Sequence, residues 1–246
     1  MTFETELRER IDKVLNEEWN TREGASVPHT DDVALRNGAV EIDAAFLYAD
    51  LAGSTALQKG YKLTFAAKAI RMYLAGASAI IRHFGGDIKS FDGDRVMGVF
   101  MGGSKCNNAV KAAYMINWLV REVINPLVTD RHEKNGTKPA WVAQHGVGID
   151  VGPSFVARAG VRNASGETTH NDLIFTGRAP NVAAKLSALR GDQAGPVVIT
   201  KEVFDRLKQV QRTRLQSDNE VWRSPTVEDI GPYSLTVYRT NYWRKP

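Results

Sequence analysis

The dipeptide Asp92-Gly93 stands between two apolar runs, Ile88 to Phe91 and Val96 to Phe100. Asp-Gly flanked by strand-like segments is a strong short-range hairpin signal, so a pair of antiparallel strands is the first constraint on the fold. The residues in front of it supply a helix to pack against it. Leu63, Ala67, Ile70, Leu74, Ala77 and Ile81 recur at spacings of four and three, lining one apolar stripe along a helix that the Gly85-Gly86 pair ends. Upstream, Ala44 to Ala49 is a short apolar run rich in Phe, Leu and Tyr, which predicts a buried strand stopping at Asp50. Downstream, Ala109, Ala113, Ile116, Val120 and Val123 mark a second amphipathic helix, from about Lys105 until Pro126 breaks it. A strand from about Val142 to Val151 then leads to a turn at Gly152. Strand, helix, hairpin, helix, strand is the order of a split βαβ unit. The expected fold is therefore an α+β, ferredoxin-like sandwich, with helices on one face of a mainly antiparallel sheet. The tail adds a helix near Pro180 to Leu189, a strand at Val197 to Thr200 and a helix at Lys201 to Leu207, with late strands at Val221 to Arg223 and Leu235 to Tyr238.

The chain has 246 residues, 43% of them hydrophobic, enough to bury a core without staples. Its single Cys106 has no internal disulfide partner and no Cys/His company for a zinc site. Phe3, Leu7, Ile11, Val14 and Leu15 predict an N-terminal helix, and residues 20–40 show no periodicity and read as a linker. A helix-and-linker segment over 1–38 and one large domain over 39–246 follow. The surplus of 32 Lys and Arg over 28 Asp and Glu is spread along the chain, so no nucleic-acid partner is expected. Acidic residues lie where a signal peptide needs basic ones, and Lys68 and Arg71 interrupt the most apolar stretch, Phe65 to Ile81. A cytoplasmic protein with no membrane partner is the expectation.

Two acidic positions carry the chemistry. In Tyr48-Ala-Asp-Leu-Ala-Gly-Ser-Thr55 an apolar strand delivers Asp50 into a small Gly-containing loop that opens a helix, where backbone N–H groups suit phosphates and a carboxylate suits a hard cation. Simple capping of the helix by Asp50 and Ser54 is the plain alternative. Asp94 starts a strand that would otherwise prefer an uncharged residue. In a split βαβ sheet the first strand lies beside the hairpin, which brings Asp50 and Asp94 together, and a pair of divalent ions would relieve their repulsion.

Four segments in order make the chain similar to the class III nucleotidyl cyclases, the adenylate/guanylate cyclase family, over about residues 43–190. They are Phe46-Leu-Tyr-Ala-Asp-Leu-Ala-Gly-Ser-Thr, Gly93-Asp-Arg-Val-Met-Gly-Val-Phe, His145-Gly-Val-Gly-Ile-Asp-Val-Gly and Gly177-Arg-Ala-Pro-Asn-Val-Ala-Ala-Lys-Leu. The resemblance implies a catalytic domain in which Asp50, Leu51 and Asp94 hold two divalent cations, Mg²⁺ or Mn²⁺. It implies that Leu51, Ala52, Gly53, Ser54 and Thr55 cradle the triphosphate and that Asn181 positions the ribose. A basic residue four positions after that Asn neutralises the transition-state phosphate. The family has Arg there and this chain Lys185, which keeps the charge but loses the planar fork, so Arg158, Arg162 or Arg178 are candidates to supplement it.

Base recognition departs further. Purine-specific members carry Lys and Asp or Thr where this chain has Ser90 and Ile174, although a bulge would bring Lys89 or Asp172 into play. An apolar Ile can neither accept from nor donate to a purine edge. The wording around these positions, including Ala157-Arg-Ala-Gly-Val-Arg and Asn171-Asp-Leu-Ile-Phe-Thr-Gly, resembles the bacterial pyrimidine cyclases of Pycsar anti-phage systems. That resemblance implies turnover of UTP or CTP to the 3′,5′-cyclic nucleotide and pyrophosphate. It also implies a homodimer with composite active sites and a separate effector that senses the product. Tyr48, two residues before Asp50, is the candidate to narrow the pocket for a one-ring base, with plain core as its alternative. An adenylate cyclase and an inactive nucleotide-binding module are the competing expectations.

Overall fold

The computed structural model describes residues 2–136, 141–162, 168–189 and 195–246, and the side chain of Arg162 lies outside the described residues. The chain divides into two compact units, Met1–Asp43 with Pro153–Gly177, and Ala44–Gly152 with Arg178–Pro246. In chain order the elements are α1 (Phe3–Asn16), β1 (Asn20–Glu23), β2 (Gly38–Ala52), α2 (Ser54–Gly60), α3 (Leu63–His83), β3 (Asp87–Asp92) and β4 (Arg95–Phe100). There follow α4 (Lys105–Trp118), α5 (Asn125–Lys134), β5 (Gln144–Arg162), β6 (Thr168–Thr176), α6 (Arg178–Ala188), β7 (Val197–Thr200), α7 (Lys201–Asp205), α8 (Gln209–Arg212), β8 (Thr226–Ile230) and β9 (Tyr233–Thr240).

The larger unit is built on the sheet order β3-β4-β2-β5-β7-β9-β8. β4 lies antiparallel between β2 and β3, so the β2–α3–β3 connection skips a strand, which is the expected split βαβ arrangement. Alternate residues of β2, namely Ala45, Leu47, Ala49 and Leu51, are buried in one core with α3 and α4. Small residues mediate that contact, because a Cβ on Gly98 of β4 would stand 2.7 Å from Ile81 of α3. The buried stripe of α3 is accordingly Ala66, Ala69, Tyr73, Ala77, Ile80 and Ile81; of the expected positions Ala77 and Ile81 belong to it, Ile70 and Leu74 pack against its edge, and Ala67 and Leu63, the latter 71% exposed, lie outside. Close approach places alanines on the inside beside Tyr73, Ile80 and Ile81, and small buried residues leave little mark on apolar spacing.

Helices do not keep to one face. In β7, Val197 and Ile199 join the α3–α4 core while Val198 joins Val182 and Leu186 of α6, and successive strand residues face opposite sides. α6 lies so close to β5 that a Cβ on Gly146 would stand 2.1 Å from the Ser187 carbonyl, and one on Gly148 2.2 Å from that of Ala183.

Four local expectations are corrected. Pro126 does not break the second helix, which passes through a π-helical stretch, Leu119–Ile124, into α5 with the proline in its first turn. The missing N–H costs nothing at a helix start, and the wider turn before it makes room for the ring. β5 runs through Gly152 to Arg162 instead of turning there. The hairpin turn is Gly93-Asp94, with Gly93 at φ 61° and β3 extending through Asp92. Residues 221–223 are no strand, and β8 is Thr226–Ile230.

In the smaller unit the stretch read as a linker is ordered. Asn20–Glu23 pairs parallel with residues 38–41 of β2, and Thr30–Asp32 forms a 3₁₀ turn. β6 pairs antiparallel with residues 155–162 of β5. Among the described residues no helix is long and apolar enough to cross a membrane.

The tight seat of α6 predicts that Gly148→Ala, whose Cβ meets backbone rather than a movable side chain, destabilises the fold by about 1–3 kcal/mol. Urea unfolding of the purified variant measures this, and a midpoint equal to wild type would show that α6 is not held as described.

Candidate active site

The register of three strands sets the site. Asp50 of β2 lies opposite Arg95 of β4, which lies opposite Asp92 of β3. One tier further along the same face come Tyr48, Met97 and Ser90. Directly opposed residues share a face, and successive tiers are about 7 Å apart, so Asp50, Tyr48 and Ser90 line one patch. Asp94 joins them from the turn, where its carbonyl accepts the Leu51 N–H at 3.3 Å. The structure thus brings the two expected metal aspartates to one end of neighbouring strands, both half-buried.

Arg95 organises the patch. Its guanidinium pairs with Asp92 at 2.5 Å and lies 5.3 Å from the centre of the Tyr48 ring. Burial raises the Tyr48 phenol above its ordinary value, with Arg95 opposing, so it stays protonated and able to donate. The sequence drew attention to Asp94 but not to its neighbour Arg95, whose role appears only with the strand register.

Ser90 follows a β-bulge. Ile88 opposes Gly98 and Ser90 opposes Met97, which leaves Lys89 as the extra residue. The bulge turns Ser90 onto the Asp50 face.

Beyond Asp50 the strand continues through Leu51 and Ala52, both buried, to Gly53 at φ 71°, which opens α2. Gly53 is itself the N-cap and no side chain caps this helix, so Ser54 does not serve as the simple cap. The N–H groups of the first turn, those of Ser54 and Thr55 among them, have no intrahelical carbonyl to bond.

On α6, Asn181 and Lys185 are both exposed, one turn apart. Lys185 extends over the β8–β9 turn, where a Cβ on Gly231 would stand 2.5 Å from its ammonium. Arg178 is engaged elsewhere. It bonds Asp150 Oδ1 at 3.2 Å and Glu202 Oε1 at 3.0 Å, anchoring the start of α6 to β5 and α7. Arg158 is likewise committed, to Asp31 at 3.1 Å and to Asn171 at 2.8 Å in the smaller unit. Ile174, on β6 opposite Ala157, belongs to that unit and is 48% exposed. Asp172 accepts the Leu173 N–H there.

Asp150 is the residue whose role the sequence did not disclose. It is fully buried, takes the Thr200 hydroxyl at 2.6 Å and the Arg178 guanidinium on Oδ1, and its Oδ2 has no hydrogen-bond partner among the described residues. Burial pushes its carboxyl up, against the pull of Thr200 and Arg178. An acidic residue between Ile149 and Val151 in an apolar strand was the available signal.

No family model matches the chain. Among characterised relatives, the uridylate cyclase of Rhodovulum sp. (strain MB263) is 40% identical over 248 residues, covering 100% of this chain and 99% of the relative. The uridylate cyclase of Xanthomonas perforans is 38% identical over 246 residues, covering 99% of each. Among solved structures, the guanylyl cyclase Cya2 superposes with a TM-score of 0.66 at 17% identity, over 84% of this chain and 95% of that one. Its class III fold is the one expected here.

The anchor of α6 yields a pH signature. Arg178→Ala would leave Asp150 buried without its cation, at a cost of about 3–5 kcal/mol near neutral pH. A carboxyl whose folded pKa lies above its unfolded value loses its stabilising contribution as pH rises through the folded pKa. Removing the cation raises that pKa further, so the stability deficit of the variant should shrink as pH falls from 8 to 5. Thermal unfolding across that range checks this, and a deficit independent of pH would contradict it.

Proposed function

The chain belongs to the uridylate cyclase family of nucleotidyl cyclases, and on that footing we propose that it closes UTP to the 3′,5′-cyclic nucleotide with release of pyrophosphate. The observation that carries the choice of base is the tier of Tyr48, Met97 and Ser90 beside Asp50. A phenol held protonated and a serine hydroxyl give donors and acceptors for the edge of a one-ring base. A purine would have to fit its second ring against Met97, with Ser90 where purine-reading members of the family carry Lys. The bulge at Lys89 is the one feature that favours an adenylate cyclase instead, since it places a lysine next to the base-reading position.

Asp50 and Asp94, with the carbonyl of Leu51, would hold the divalent cations. Among the described residues no group of three or more Asp, Glu, His or Cys gathers at one point. Two carboxylates and a backbone oxygen nevertheless fit Mg²⁺ or Mn²⁺, which take the rest of their oxygen ligands from phosphates and water. Divalent cations held there would lower the pKa of the ribose 3′-hydroxyl and offset charge on the α-phosphate. The first-turn N–H groups after Gly53 bind the triphosphate. Asn181 orients the ribose so that O3′ faces the α-phosphorus in line with the pyrophosphate leaving group. Lys185 meets the charge that builds on the phosphate oxygens, and Arg178, held by Asp150 and Glu202, positions the helix that carries both.

Two chains would share each site. α6 runs antiparallel to β5, with Ala179 near Gly152 and Ser187 near Gly146, and Leu189 just beyond it lines a cavity with Ala52. Asn181 lies eight residues before Leu189, about 12 Å back along the helix. Within one chain it therefore stands away from the end of β2 that bears Asp50. A homodimer in which one subunit brings the aspartates and the other brings Asn181 and Lys185 resolves that separation. The cyclic product would act as a cytoplasmic messenger in anti-phage defence, read by a separate effector.

Incubation with each of the four nucleoside triphosphates and Mn²⁺, with products identified by mass, should give cyclic UMP. The kcat/KM for UTP should exceed that for ATP at least about tenfold, or about 1.4 kcal/mol in barrier. Comparable or better turnover of ATP would overturn the assignment in favour of an adenylate cyclase. Asp50→Ala and Asp94→Ala should each lower kcat about 10²–10³-fold or more with folding intact by circular dichroism. Substantial activity in either variant would remove the aspartates from the metal site.

A further inference from the structure

The smaller unit contains a cavity of about 470 Å³, within the range of about 300–1,000 Å³ that small-molecule sites occupy. None of the residues assigned to catalysis lines it. Arg10 and Lys13 reach it from α1 and Arg36 from the segment before β2, while Val14, Trp19 and Leu35 give it an apolar wall. The charges are unbalanced. Arg36 is neutralised by Glu17 at 2.9 Å, whereas neither Arg10 nor Lys13 has an ion-pair partner among the described residues. The wall is pre-arranged, because the Trp19 ring stands edge-on to Phe155 with centroids 5.1 Å apart, yet Trp19 remains 54% exposed. Gly160 forms another part of the lining, and a Cβ there would stand 2.8 Å from both Leu35 and Asn171, so this side is restricted to bare backbone.

A cavity with two uncompensated cations beside a fixed, half-exposed indole asks for a ligand with a compact anion at one end and a flat ring at the other. Guanidinium and ammonium groups bind phosphate through charge-assisted hydrogen bonds, and an indole face receives a nucleobase by stacking, with little regard for which base. We propose that this cavity is a second, non-catalytic ligand site for a nucleoside phosphate, with the phosphate between Arg10 and Lys13 and the base against Trp19. Such a site would let the chain respond to a nucleotide that it does not turn over, and it does not depend on the identity of the cyclised substrate.

The test uses the full chain without divalent metal, so that catalysis is silent, and titrates AMP, UMP and inorganic phosphate by calorimetry. Binding of at least one nucleotide should be saturable and at least tenfold tighter than that of inorganic phosphate. It should weaken at least tenfold in Arg10→Ala/Lys13→Ala and, independently, in Trp19→Ser, and persist in Lys185→Ala, which impairs the catalytic site instead. Absence of saturable nucleotide binding, or equal binding of inorganic phosphate, would overturn the proposal. So would unchanged affinity in both cavity variants, or loss of binding in Lys185→Ala.

Discussion

The pairing of β2 with β4 is the constraint on which the rest depends. It puts Asp50 opposite Arg95 and joins Leu51 to the Asp94 carbonyl, so one ladder fixes both aspartates, the Tyr48 tier and the approach to the Gly53 turn. Because side chains alternate along a strand, a slip of one residue would send Asp50 into the α3–α4 core and Leu51 to the opposite face. The buried run Ala45, Leu47, Ala49 and Leu51 forbids that slip. Hydrophobic burial on one face of β2 therefore holds Tyr48 and Asp50 in place on the other.

The second half of the site is held by different means. α6 is drawn onto β5 by Gly146 and Gly148, where any side chain would strike its backbone, and its first residue is tied by Arg178 to Asp150 and Glu202. Packing sets how far the helix stands from the sheet, and the ion pairs set how far it slides. Asn181 and Lys185 then project from a helix with little freedom, as the proposed site assembled from two subunits would require, since neither chain alone could correct an error in the other.

Much of this was legible in the sequence because the relevant signals are local. The hairpin and the two covering helices follow from turn chemistry and periodicity, and with the first strand, which runs on to Ala52 rather than stopping at Asp50, they sufficed to bring Asp50 and Asp94 together. What escaped is nonlocal or depends on shape. The parallel strand Asn20–Glu23 has no alternation to betray it, since its residues are all exposed. The inside of α3 mixes Ala66, Ala69 and Ala77 with Tyr73, Ile80 and Ile81, so apolar spacing alone finds only part of it, and Pro126 is accommodated where the helix widens ahead of it. The ion pairs of Arg178 were likewise hidden, because Asp150 and Glu202 lie 28 and 24 residues away in sequence, and only the fold brings them together.

The central claim is that the aspartate end of β2 and the Asn181 face of α6 meet across two chains. Doubly tagged heterodimers of Asp50→Ala and Asn181→Ala, purified away from both homodimers, test it most directly. The account predicts two nearly inactive homodimers and a heterodimer that regains one working site, because one interface then holds both intact contributors and the other holds neither. A folded heterodimer as inactive as its parents would contradict it.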